Sequence, residues 1–157
     1  GNVSFRGGGM TKNEEQTIQE LIQTFTQFDK LDWEKKTIEG FKPSEIRVLT
    51  CIKLKIQSTC EIKVSEISKH LNVRMPSVTP ILNKLEQHGL ITRRIDEHDR
   101  RVILVSLTTE GETVANAALD HLHKTFASLR ESIGLEDSKE LIRILTKVYQ
   151  FFKEKQN

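Results

Sequence analysis

Residues 62–108 read IKVSEISKHLNVRMPSVTPILNKLEQHGLITRRIDEHDRRVILVSLT, and the periodicity of this stretch decides the fold. Val64, Ile67 and Leu71 share one face of a first helix. After a break at Asn72–Val73, the residues Val78, Ile81, Leu82 and Leu85 share one face of a second. Pro76 is acceptable at the start of that second helix, and Gly89 stops it where a left-handed backbone costs least. Leu90–Ile95 and Val102–Leu107 are two short β-rich runs joined by a charged turn. Helix, short turn, helix and hairpin is the order of a helix-turn-helix with a wing.

That order gives the exposed side of the second helix a meaning. With its apolar face inward, the helix presents Ser77, Pro80, Asn83, Lys84 and Gln87, with Thr79 at the edge. Asn and Lys read base edges, and Ser and Thr serve bases or phosphates. Pro80 lacks the N–H of a helical interior residue and crowds the preceding turn, so a kinked or tightened first turn is expected. Arg93, Arg94, Arg100 and Arg101 gather at the hairpin, with Arg74 and Lys84 upstream. Such a local basic face suffices for phosphate contacts. The bland alternative is a solvated turn and an ordinary polar helix face. An acidic tip, Asp96-Glu97-His98-Asp99, precedes the last two arginines. Asp99 paired to Arg101 would hold that side chain extended and lower the entropy lost on entering a narrow minor groove; the alternative is a weak surface ion pair.

Outward from this centre the chain is helical. Residues 12–32 carry Ile18, Leu21, Ile22, Phe25, Phe28 and Leu31 on one broad stripe. Residues 33–42 form a connector, and Pro43 opens a helix to about Lys55 that buries Ile46, Val48, Leu49, Ile52 and Ile56. Lys42 occupies the cap position without an evident reason. Beyond the hairpin, Thr109 with Glu112 is a candidate capping box, and Thr108 a second candidate cap. Val114, Ala118, Leu122, Phe126, Leu129 and Ile133 then mark a long helix that Gly134 ends. Asp137 or Ser138 opens a last helix carrying Leu141, Ile144, Leu145, Val148, Phe151 and Phe152. These flanking helices hold more apolar surface than a small winged core needs. A second copy of the chain is the economical partner.

The whole-chain properties bound the rest. In 157 residues, 36% are hydrophobic and 29% charged, as in ordinary soluble proteins, and the formal net charge of +2 does not by itself indicate nucleic acid. No apolar run approaches membrane-spanning length, so no membrane partner is expected. Two cysteines, Cys51 and Cys60, are too few for a disulfide framework and point to a reducing cytoplasm. Cys51 reads as a core residue, Cys60 as exposed near a turn. No phosphate loop, metal-ligand spacing or nucleophile–base motif is present, so catalysis, metals and fixed cofactors are not expected. GNVSFRGGGM (1–10) reads as a cloning remnant ahead of an initiator Met10, leaving 11–157 as one domain. Within it, 43–108 is the winged helix-turn-helix, and 12–32 with 109–152 the dimerisation region. The fold class is thus mainly α with a small β wing.

These residues resemble the multiple-antibiotic-resistance regulator (MarR) family of bacterial winged-helix transcription factors. The resemblance covers essentially all of 12–152. Its most specific parts are VSEISKHLNV (64–73), SVTPILNKLEQHGLITRR (77–94) and DRRVILVSLTTEG (99–111), the last holding the D-x-R wing signature followed by L-T-x-x-G. The resemblance implies a homodimeric repressor on a pseudo-palindromic operator in double-stranded DNA. Asp99 would brace Arg101 in the minor groove, and the face with Ser77, Thr79, Asn83 and Lys84 would enter the major groove. It also implies a small-molecule or redox signal sensed where dimerisation and DNA-binding regions meet.

Arg74 and Pro80 stand where relatives often have Ser and Arg respectively. The oxidation-sensing branch has a reactive cysteine in its first helix, and residues 12–32 contain none. The zinc-sensing branch clusters its ligands, whereas His70, His88, His98, His121 and His123 are scattered here. The rival reading is a winged-helix protein-interaction or architectural module without a specific operator.

Overall fold

The computed structural model describes residues 9–31, 37–56 and 60–156. Residues 1–8 of the remnant assigned to 1–10, residue 32 at the end of the first helical stripe, and the connector residues 33–36 lie outside the described residues. The elements are α1 (Lys12–Phe28), α2 (Pro43–Lys55), β1 (Ile62–Lys63), α3 (Val64–Leu71), α4 (Met75–Gln87), β2 (Ile91–Ile95), β3 (Ile103–Leu107), α5 (Thr109–Ile133) and α6 (Leu135–Gln156). The chain divides into two compact units, residues 1–36 and 37–157.

In the first unit, Thr11 caps α1 by accepting from the Glu14 N–H. The helix ends at Phe28, short of Asp32, because Asp29 and Lys30 turn back onto the carbonyls of Thr26 and Gln27. None of its residues is buried, and Leu21, Ile22, Phe25 and Phe28 are exposed.

The second unit closes one core. Val48, Leu49 and Ile52 of α2, Ile67 of α3, and Val78, Leu82 and Leu85 of α4 meet Ile91 of β2 and Val105 of β3. Cys51 is buried among them and Cys60 is exposed. α2 starts at Pro43, and Lys42 needs no capping side chain of its own, because Glu45 Oε1 accepts from its backbone N–H at 2.7 Å. The turn between α3 and α4 places Asn72 in the left-handed region at φ 54°. Buried Ser68 closes that turn, its hydroxyl donating to the Val73 carbonyl and its own carbonyl accepting from the Val73 N–H. Pro80 lies inside α4. The expected tightening is present one turn earlier, where the Ser77 N–H bonds three residues back to Arg74 O.

The sheet has order β1-β3-β2, antiparallel throughout, with Ile91 opposite Leu107 and Ile95 opposite Ile103. The strands begin at Ile91 and Ile103, one residue later than the β-rich runs, since Leu90 and Val102 sit in the adjoining turns. The short β1, absent from the sequence reading, pairs Ile62 with Val105 and makes β3 the central strand. Two residues are too few to show a period.

The base of the wing is welded to α5. Thr108, not Thr109, is the N-cap; its Oγ1 accepts from the Gly111 N–H at 3.0 Å and donates to Gly89 O at 2.6 Å. The N3 residue is therefore Gly111, and the Thr109–Glu112 box does not form. A Cβ on Gly111 would stand 1.9 Å from the Leu90 carbonyl oxygen, so only glycine admits this crossing. The last helix likewise starts at Leu135, before Asp137 and Ser138, because Gly134 both ends α5 and caps α6 through the Ser138 N–H. α5 buries Gly111, Ala115 and Ala118 only, and α6 buries nothing.

Candidate nucleic-acid interface

The outer face of α4 is set by what the inner face must bury. Val78, Leu82 and Leu85 point into the core and Ile81 is half-buried, which turns Ser77, Thr79, Pro80, Asn83 and Gln87 to solvent. Thr79 Oγ1 donates back to Met75 O at 3.1 Å. This is the carbonyl Thr79 can reach one turn earlier, so its hydroxyl is held along the helix.

Lys84 does not stand free on that face. Its Nζ lies 2.7 Å from Glu45 Oε2, whose side chain is 5% exposed, and 5.9 Å from the centre of the buried Phe41 ring. Burial alone would raise the Glu45 carboxyl, but the bonds from Lys84 and the Lys42 N–H outweigh it and keep it below the usual range. Lys84 thus ties α4 to α2. The sequence reading placed it with the exposed residues because helical spacing does not show how far a long side chain bends toward its neighbours.

Three of the four hairpin arginines are also paired. A single Arg93 nitrogen donates to Asn83 Oδ1 at 2.7 Å and to Glu86 Oε1 at 2.9 Å, joining the wing to α4. Arg94 forms a two-bond fork with Glu61, both at 2.8 Å, bracing β2 to the segment before β1. Arg101 meets Asp99 through Nε at 3.1 Å and Nη2 at 3.2 Å, and its backbone N–H donates to Asp99 Oδ1 at 3.0 Å. The partner carboxylates Glu86, Glu61 and Asp99 are all held below their ordinary values, chiefly by these arginine bonds. Arg100 is exposed in the same turn.

The pairs differ in what they leave outside. Arg93 is 22% exposed and faces α4, whereas Arg101 is 90% exposed at the wing tip despite its pair. Ile95 and Ile103, opposite one another beyond the core, are exposed too, so the tip projects from the domain. The structure brings Asn83 and Arg93 together, holds Asp99 with Arg101, and diverts Lys84 to the buried carboxylate of Glu45 and Arg94 to the partly exposed one of Glu61. Sequence reasoning missed the tethers Glu45, Glu61 and Glu86. Only Glu45 had a local signal, three residues after the cap position. Among the described residues, no group of His, Cys, Asp and Glu could hold a metal ion, and no helix is long and apolar enough to cross a membrane.

The chain is similar to known proteins in sequence and fold. The family model described as MarR family matches residues 41–103. The transcriptional repressor MdtR of Bacillus subtilis is 32% identical over 121 residues, 76% of each chain. The organic hydroperoxide resistance transcriptional regulator of the same bacterium is 36% identical over 80 residues, and the chain spans only 53% of that relative's length. Streptococcus pneumoniae FabT, solved in complex with DNA, superposes with a TM-score of 0.65 at 21% identity, covering 91% of this chain and 97% of FabT.

Proposed function

The chain belongs to the MarR family, and on that footing we propose that it is a DNA-binding transcription regulator, a homodimeric repressor acting in the cytoplasm on a pseudo-palindromic operator, and not an enzyme. The observation that carries this reading is Arg101: a guanidinium almost wholly in solvent, at the tip of a projecting hairpin, held extended by both oxygens of Asp99. A surface ion pair of this kind adds little stability. Its use is to fix a long side chain in advance, which lowers the ordering cost of entering a minor groove. Ser77, Thr79, Pro80 and Asn83 on α4 then face the major groove, with Arg100 on phosphate.

The apolar faces of α1 and α6 and of the distal half of α5 support a two-fold dimer, which presents two α4 helices about one DNA turn, roughly 34–36 Å, apart. Release follows if a small-molecule effector favours a dimer with its reading helices wrongly spaced. A near-complete switch requires that ligand to discriminate between the two states by about 5.5 kcal/mol.

The test is binding of the purified protein to the DNA upstream of its own gene, at fixed salt, against a scrambled duplex. Selective, two-fold-symmetric protection is expected, with Arg101→Ala weakening it about tenfold or more while its unfolding curve stays unchanged. Equal binding to both duplexes would instead mark an architectural role. Full affinity in Arg101→Ala would remove the wing from the interface.

A further inference from the structure

Asn83 sits on the exposed face of α4, one turn from Thr79, and its carbonyl is already engaged. Arg93 Nη2 stands 2.7 Å from Asn83 Oδ1. A guanidinium only donates, so it fixes which way the Asn amide points: oxygen toward Arg93, NH₂ away from it. Arg93 is itself held by Glu86, 2.9 Å from the same nitrogen, and lies largely covered between β2 and α4. Its two Nη2 hydrogens are thereby both used, one on Asn83 and one on Glu86. The wing therefore sets the hydrogen-bonding character of a side chain on the reading helix.

An unconstrained asparagine reads adenine with both ends of its amide, accepting from N6 and donating to N7. Here one lone pair of the accepting oxygen is taken, and the amide is held with its oxygen toward Arg93 and its NH₂ away from it. Resting on the DNA-binding reading above, we infer that Asn83, its oxygen held toward Arg93, presents its NH₂ to the groove and selects guanine over adenine at one major-groove position of each half-site. Guanine presents two neighbouring acceptors, N7 and O6, to the two amide hydrogens. Adenine presents N7 beside an amino donor, which would face the amide NH₂ with nothing to accept it. An unpaired donor pressed against a donor is what the interface excludes.

The experiment is selection of bound duplexes from a random pool by the full chain and by Asn83→Ala and Arg93→Met. Asn83 is exposed and Arg93, largely covered, packs between the wing and α4 outside the hydrophobic core, so unfolding curves of both variants accompany the selection. The parent is expected to enrich a symmetric site with guanine at one position per half-site, favoured over adenine about tenfold in direct binding. Asn83→Ala loses the preference at that position alone. Arg93→Met frees the amide oxygen and moves the preference there toward adenine. Adenine in the parent at the Asn83-dependent position, no position relaxed by Asn83→Ala, or an unaltered preference in Arg93→Met would each overturn the inference while leaving DNA binding intact. A parent that enriches no sequence at all would overturn the DNA reading itself, and this proposal with it.

Discussion

The two ends of α5 inhabit different environments. Near its start, Ala115 and Ala118 are buried against the winged core; further on, Leu122, Phe126 and Leu129 lie in the open. The same contrast divides the chain. The winged region closes around side chains such as Leu49, Ile52, Ile67 and Val105, none measurably exposed, whereas α1 and α6 bury nothing. The winged region is finished by its own residues. The helical arms carry apolar stripes that stay exposed among the described residues, so association is expected to contribute to their stability. Isolated helices gain little from propensity alone.

Matched truncations test this division most directly. Leu49→Ala is expected to lose about 2–5 kcal/mol by creating a cavity, at every protein concentration. Ile142→Ala on exposed α6 is expected to lower stability only through the dimer, as a concentration-dependent change in the unfolding midpoint. Equal, concentration-independent losses in denaturant titrations would erase the distinction. Leu145→Glu should yield a species of one chain's mass in sedimentation, with the winged core still folded.

A smaller effect sits at the join between α2 and α4. Lys84→Met leaves Glu45 buried without its cation and is expected to cost about 1–3 kcal/mol, since Lys84 is itself partly solvated. Adding Glu45→Gln should recover most of this loss, because glutamine can still accept from the Lys42 N–H. If the double variant is no better than the single one, the pair does not account for the loss.

The smallest effect is one of pH. The Glu45 carboxyl is held below its unperturbed 4.5. Its contribution to stability is therefore complete above that value and disappears as the pH falls through the depressed one. Unfolding titrations between about pH 5 and about pH 2 should show a shallower decline in the double variant Glu45→Gln/Lys84→Met than in the parent. Parallel curves would mean that this carboxylate contributes nothing to acid sensitivity.

The sequence disclosed those features that repeat or that break a repeat. Val64–Ile67–Leu71 and Val78–Leu82–Leu85 located two helices because burial follows the helical period, and Asn72 and Gly89 ended them because few residues accept their backbone angles. Choices between neighbours were less legible. Thr108 caps α5 in place of Thr109 because Gly89 O and the Gly111 N–H converge on its hydroxyl, a convergence that exists only once the hairpin has folded. The site divides the same way. Asp99 and Arg101 are two residues apart, so their pairing could be anticipated. Lys84 with Glu45 and Arg94 with Glu61 join distant segments, and the long side chains that predicted a basic face are those best able to reach across to a carboxylate on another segment.

The glycine at position 111 finally has a mechanical meaning. Because it lets α5 lie directly on the Leu90 carbonyl, the helix leaves the wing's base with no cushion of side chains between them. Its 25 residues make a rod about 37 Å long, clamped at one end. Pivoting such a rod by about 10° would sweep its far end through roughly 6 Å, more than the rise of one helical turn. Run in reverse, a shift of that size imposed at the far end of α5 would become a rotation of the winged head that leaves the head's own packing unchanged.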